Sequence, residues 1–132
     1  MPHDLPTVFP RLGGAPRPGV APRPCVTGPV RFLASVTSAS EAAAATEGGA
    51  DLIDAKDPAR GALGALPLDV VRSIREAVPR RLAVSATIGD VPPDAEAWAR
   101  RARELGSAGA DVVKIGMFPG GDARSAIAAA GR

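Results

Sequence analysis

From Val30 onward the sequence alternates short apolar runs with amphipathic stretches, and no other feature narrows its fold so far. Phe32–Val36 reads as a strand, followed by a helix that opens at the capping-box pattern Ser38-x-x-Glu41 and closes at Gly48. Leu52–Lys56 is a second strand. The next helix has Pro67 near its first position, then Leu68, Val71, Ile74 and Val78 at helical spacing, with Pro79 beyond it. Leu82–Thr87 is a third strand, and Ala95, Trp98, Ala99, Ala102 and Leu105 mark a helical face ended by Gly106. Val112–Gly116 is a fourth strand, and Asp122–Ala130 reads as the start of a fourth helix. Strands that alternate with helices pair in parallel through right-handed crossovers. An internal echo supports this spacing: Gly49-Ala50-Asp51 leads into the second strand and Gly109-Ala110-Asp111 into the fourth. An open doubly wound sheet and a (β/α)8 barrel both fit. No G-x-G-x-x-G follows the first strand, and polar residues lie inside the strands, which favours the barrel.

The N-terminal 29 residues have a different texture. They hold eight of the 14 prolines. Proline removes backbone donors and pushes its preceding residue away from helix. Residues 1–29 are therefore expected to be a disordered, partly extended Pro/Arg-rich tail, and residues 30–132 a single folded unit. The tail also accounts for the basic balance. It carries Arg11, Arg17 and Arg23 against Asp4, whereas the remaining 13 basic and 13 acidic residues cancel. With aromatics at 3%, a nucleic-acid partner is not expected. No apolar run is long enough to span a membrane. The opening residues carry proline and Asp4 where a secretory signal would be apolar, so a cytoplasmic location is expected. Cys25 stands alone, which excludes an internal disulfide, and Cys25 and His3 form no ligand constellation.

Side chains alternate faces along a strand. If helices cover the apolar face, Ser35, Asp54, Lys56, Ser85, Thr87 and Lys114 point into the barrel. Charges placed there are costly unless paired or used. The sequence has two lysines, Lys56 and Lys114, and both fall in this set. Its other 14 basic side chains, His3 apart, are arginines. Arginine neither deprotonates nor forms an imine, whereas lysine does both, so these two positions call for an amine as such. The bland alternative pairs them with Asp54 or Asp57 in a structural network. A zinc-dependent aldolase and a Ser-His-Asp site both need a histidine, and residues 30–132 have none. Gly120-Gly121-Asp122 could present helix amides to a phosphate.

Three strings carry a family likeness: DLIDAKDPARGALGA (Asp51–Ala65), VSATIGDVP (Val84–Pro92) and ADVVKIGMF (Ala110–Phe118). Together they closely resemble the (5-formylfuran-3-yl)methyl phosphate synthase family. The resemblance covers roughly residues 32–130 and implies a TIM barrel that joins two molecules of glyceraldehyde 3-phosphate, a step toward methanofuran-type cofactors. It implies no metal and no organic cofactor. By motif, Lys56 aligns with the family's Schiff-base lysine and Lys114 with its proton acceptor. From strand parity, not from the family motif, Asp54 is expected to orient Lys56, and Ser85 or Thr87 to bind substrate oxygens. A complete barrel runs to about 250 residues, so the fold class expected here is a partial TIM barrel of about four βα units. Strands five to eight, with the family's second-half lysine and aspartate, lie outside the sequence. The expected partners are a phosphorylated triose and a second half-barrel, either another copy or a complementing chain. The alternatives are a non-catalytic half-barrel fragment and another class I (Schiff-base) aldolase.

Overall fold

The computed structural model of the chain describes residues 30–92, 94–117 and 122–130. The tail assigned to residues 1–29, with His3 and Cys25, lies outside these, as do Gly120 and Gly121 of the suggested phosphate turn. Strands β1 (Leu33–Val36), β2 (Leu52–Ala55), β3 (Ala83–Thr87) and β4 (Val112–Lys114) alternate with helices α1 (Ala39–Glu47), α2 (Leu68–Ala77), α3 (Ala95–Ser107) and α4 (Ala123–Ala130). A short 3-10 turn, Pro58–Arg60, follows β2. The strands form one parallel sheet in the order β1-β2-β3-β4. Each crossover advances in the same direction, so right-handed connections place α1, α2 and α3 on one face. A doubly wound sheet reverses direction at a switch point, and these four strands do not. They wind as a (β/α)-barrel winds. No helix among the described residues is long and apolar enough to cross a membrane.

Element ends follow local chemistry. Ser38 caps α1, its Oγ accepting from the Glu41 N–H at 3.3 Å. Glu41 completes the reciprocal bond one residue early, accepting from the Thr37 N–H at 2.6 Å and the Thr37 hydroxyl at 2.9 Å. Those two bonds, the backbone one first, hold the Glu41 carboxyl below its ordinary pKa. Pro67 serves as the cap of α2 rather than its first residue. Asp94 caps α3 through the Ala97 N–H at 2.8 Å. The fourth strand is shorter than its apolar run. The last β3–β4 bond runs from the Ile88 N–H to the Lys114 carbonyl at 3.2 Å, and β3 then turns away at Gly89.

The core lies between the sheet and the helices. Val36, Ile53, Ala55, Val84 and Ala86 face the helices and are buried, packed with Ala42, Val71, Ile74, Trp98 and Leu105. Each fully buried Val, Leu or Ile contributes roughly 1.5–3 kcal/mol of transfer free energy. Alternation puts Ser35, Asp54, Ser85 and Val112 together on the opposite face, in one row of the register.

The repeated Gly-Ala-Asp sequence is a repeated structure. Ala50 N–H donates to the Ala45 carbonyl and Ala110 N–H to the Leu105 carbonyl, both at 3.0 Å. Each aspartate then caps the start of the neighbouring strand: Asp51 accepts from the Phe32 N–H at 2.7 Å, and Asp111 from the Val84 N–H at 2.9 Å. Asp111 also pairs with Arg75 at 2.8 Å. Arg75 is buried on α2 and donates to the carbonyls of Leu82, Val78 and Pro79 at 3.1, 2.8 and 3.0 Å. One guanidinium thus ties the end of α2, the approach to β3 and the start of β4. Gly109, at φ 103°, lies against its stem: a Cβ there would come within 2.5 Å of Arg75 Cγ.

Candidate active site

Asp54 is the centre of the polar face. Its side chain is only 2% exposed. A buried carboxylate needs donors on both oxygens to offset lost hydration. Ser85 Oγ donates to Oδ1 at 2.7 Å, and Ser35 Oγ donates to Oδ2 at 3.1 Å. Lys114 Nζ donates to Oδ2 at 2.5 Å. The register explains the convergence, since Ser35, Asp54 and Ser85 are direct cross-strand partners. Lys114 lies one inward step further along β4, and its long stem reaches back over β3 to the carboxylate. Its side chain keeps 34% exposure, so the ammonium is both anchored and accessible.

Lys56 stands one residue beyond β2, where its N–H donates to the Val36 carbonyl at 3.1 Å and continues the ladder. Extending the register aligns Lys56 with Thr87, which pairs with Lys114. The two lysines thus start from backbones two strand spacings apart, roughly 9.5 Å, at the C-terminal ends of their strands. That end carries the chemistry in (β/α) barrels. Among the described residues Lys56 makes no side-chain hydrogen bond or ion pair. Asp57 is engaged elsewhere, capping the 3-10 turn through the Ala59 N–H at 3.0 Å and pairing with Arg60 at 3.3 Å.

Asp54 holds Lys114 and, among the described residues, makes no hydrogen bond or ion pair with Lys56; its oxygens meet donors from β1, β3 and β4. Ser85 is buried and spends its proton on Asp54. Thr87 is equally buried, donating to the Leu63 carbonyl at 3.4 Å and accepting from the Gly89 N–H at 3.3 Å. Both hydroxyls shape the site from beneath its surface. The loop after β2 folds back so that the Asp57 N–H donates to the Gly64 carbonyl at 2.9 Å. A Cβ at Gly64 would lie 1.8 Å from the Asp57 carbonyl oxygen, so only glycine allows this turn beside Lys56. The Gly61-x-x-Gly64 spacing after the lysine is the sequence signal for it.

One cleft lies elsewhere. A space of about 420 Å³ opens at the N-terminal ends of the strands, lined by Leu33, Leu52, Ala83, Arg31 and Arg81. It is the bare floor of the sheet, at the opposite end from the lysines.

Residues 32–132 match the family model described as 4-HFC-P synthase. The chain is similar to the (5-formylfuran-3-yl)methyl phosphate synthase of Methanothermobacter thermautotrophicus, at 43% identity over 87 residues, covering 66% of this chain and 37% of that protein. The protein of the same name from Methanopyrus kandleri is 42% identical over 88 residues, covering 67% of this chain and 37% of its own length. That of Methanocaldococcus jannaschii is 42% identical over 87 residues, with shares of 66% and 37%. The chain thus spans little more than a third of the curated relatives it matches. On the extent of the family match, which takes in both lysines and Asp54, the chain belongs to the 4-HFC-P synthase family.

Proposed function

We propose that this chain carries the lysine-bearing part of a (5-formylfuran-3-yl)methyl phosphate synthase site, with Lys56 as the imine-forming amine. The observation behind this reading is the division of labour between the two lysines. Lys114 is bound to Asp54, whereas Lys56 has its side chain uncommitted among the described residues. An amine that is to attack a carbonyl must be available, and one that is to move protons must be held in place.

In this mechanism the Lys56 amine adds to the aldehyde carbon of one glyceraldehyde 3-phosphate. The carbinolamine loses water to give a protonated imine, which draws electrons from the adjacent carbon. Loss of a proton from that carbon gives an enamine, and carbon–carbon bond formation with the second triose phosphate follows. Lys114 donates a proton to the oxygen that forms or departs, and its free amine then takes up the proton released from carbon. Asp54 fixes the Lys114 ammonium through that cycle, and Ser35 and Ser85 fix Asp54. Ring closure and loss of water and phosphate complete the furan. The setting is the assembly of methanofuran-type cofactors, and a cytoplasmic location fits phosphorylated substrates.

Borohydride trapping tests the reading. Incubation of the chain with glyceraldehyde 3-phosphate and borohydride is expected to leave a stable mass adduct on the peptide bearing Lys56. An adduct that persists in Lys56→Arg, or one found on Lys114 instead, would overturn the assignment.

A further inference from the structure

We propose that Asp90 is a specificity-determining residue of the Lys56 site, its carboxylate accepting the hydroxyl beside the aldehyde carbon so that the site takes α-hydroxy aldehydes. This rests on the reading of Lys56 as the imine-forming amine. Asp90 stands three residues beyond Thr87, the last residue of β3, whose register position aligns with Lys56. The turn that carries it is braced on both sides. Before it, the Gly89 N–H donates to the Thr87 hydroxyl at 3.3 Å, and that hydroxyl donates to the Leu63 carbonyl at 3.4 Å. After it, the buried Trp98 ring donates its Nε1–H to the Val91 and Pro92 carbonyls at 3.3 and 3.0 Å. Strand β3 lies between β2 and β4, so this turn is held by neighbours within the chain.

The carboxylate rests over the loop that begins at Lys56. A Cβ at Gly61 would lie 3.2 Å from Asp90 Oδ2. Two backbone bonds connect that glycine to the lysine's neighbour. The Gly64 N–H donates to the Gly61 carbonyl at 3.2 Å, and the Asp57 N–H donates to the Gly64 carbonyl at 2.9 Å. Other aspartates of this end and its flanks do structural work: Asp57 caps the 3-10 turn, Asp94 caps α3 and Asp111 caps the start of β3. The Asp90 side chain is exposed and, among the described residues, makes no such bond. An ionised carboxylate only accepts hydrogen bonds. From a glyceraldehyde 3-phosphate whose aldehyde carbon is bonded to Lys56, it would accept the molecule's single hydroxyl, on the next carbon. It would also repel the phosphate and so turn that end of the substrate away. Holding the hydroxyl fixes the orientation of the carbon that then gives up its proton.

Borohydride trapping with two aldehydes tests this: glyceraldehyde 3-phosphate, and 3-oxopropyl phosphate, which lacks the hydroxyl. Adduct on the Lys56 peptide is read by mass over a range of aldehyde concentrations, and the preference is corrected by that of free Nα-acetyl-lysine. The wild-type chain is expected to favour the hydroxy aldehyde by roughly tenfold or more, as one hydrogen bond to a charged group would give. Asp90→Ala should bring the preference close to one by weakening the trapping of glyceraldehyde 3-phosphate alone. Asp90→Asn, which keeps an acceptor oxygen and loses the charge, should fall between. Near-UV circular dichroism of Trp98, bonded to the same turn, checks that the variants remain folded. Equal trapping of both aldehydes by the wild type overturns the proposal and leaves the imine reading standing. So does a preference that survives Asp90→Ala, or a loss shared by both aldehydes. Should Asp90→Ala fail to fold, an undiminished preference in Asp90→Asn overturns it. No Lys56 adduct with either aldehyde overturns the imine reading and this inference with it.

Discussion

Lys56 and Lys114 occupy two basic positions in a chain that uses arginine at 14 others. Arginine at either position would keep a positive charge and lose the amine chemistry. Lys56→Arg is therefore expected to fold normally and to abolish borohydride trapping, as read by peptide mass. Lys114 has a second role that its substitution should expose. Its removal leaves Asp54 buried with two hydroxyl donors and, among the described residues, no counter-charge. Lys114→Ala should cost on the order of 1–3 kcal/mol in a urea titration. Adding Asp54→Asn should recover part of it, since the neutral amide needs no counter-charge. Additive losses would show that the pair contributes no coupling. Trapping at Lys56 should survive Lys114→Ala, because the imine-forming amine is still in place.

The elements are held at both ends by short polar devices, and glycine marks where they leave no room. Gly109 combines φ 103° with a packing contact on the stem of Arg75. Gly109→Ala should lower stability by about 1–3 kcal/mol from backbone strain alone, with a further loss if Arg75 is pushed off Asp111. Gly106, inside α3, has open space where a Cβ would stand and no unusual φ. Gly106→Ala should instead raise stability by roughly 0.5–1 kcal/mol. Opposite signs in thermal melts of the two variants would bear out this reading. The cap of α1 predicts a pH dependence. The folded-state pKa of Glu41 lies below its ordinary value of 4.5 because Thr37 donates two hydrogen bonds. The stability it contributes is then present above that ordinary value and lost as pH falls through the folded one. Glu41→Gln should flatten this part of the acid limb and leave the neutral plateau nearly level.

At the scale of the whole molecule, the parallel order of the strands carries Lys56 and Lys114 to one end of the sheet, above a core in which Val71, Ile74, Trp98 and Leu105 are buried. Leu105→Ala, in the core under α3, should lower stability by about 2–5 kcal/mol in a urea titration. An unchanged midpoint would show that this part of the core contributes little to the fold.

How much was legible in the sequence differs between these scales. Strand and helix order followed from periodicity alone, because apolar residues at spacing two and spacing three to four specify which face an element buries. The repeated Gly-Ala-Asp was visible for a similar reason: turns and caps are local chemistry. The lysines stood out through rarity, and parity placed them on the polar face with Asp54. What parity does not encode is which donor reaches which acceptor across strands. Asp54 sits two residues before Lys56 in sequence, yet its charge partner is Lys114, 60 residues away, because the register sets β2 and β4 on either side of Ser85. Arg75 likewise reads as one more charge on an amphipathic helix, and only packing turns it into the buried clasp on Asp111. The sequence by itself determined the elements, the faces and the amines, all set by neighbours a few residues apart; the tertiary structure decided the pairings, since a long side chain finds its partner only after the strands are laid side by side.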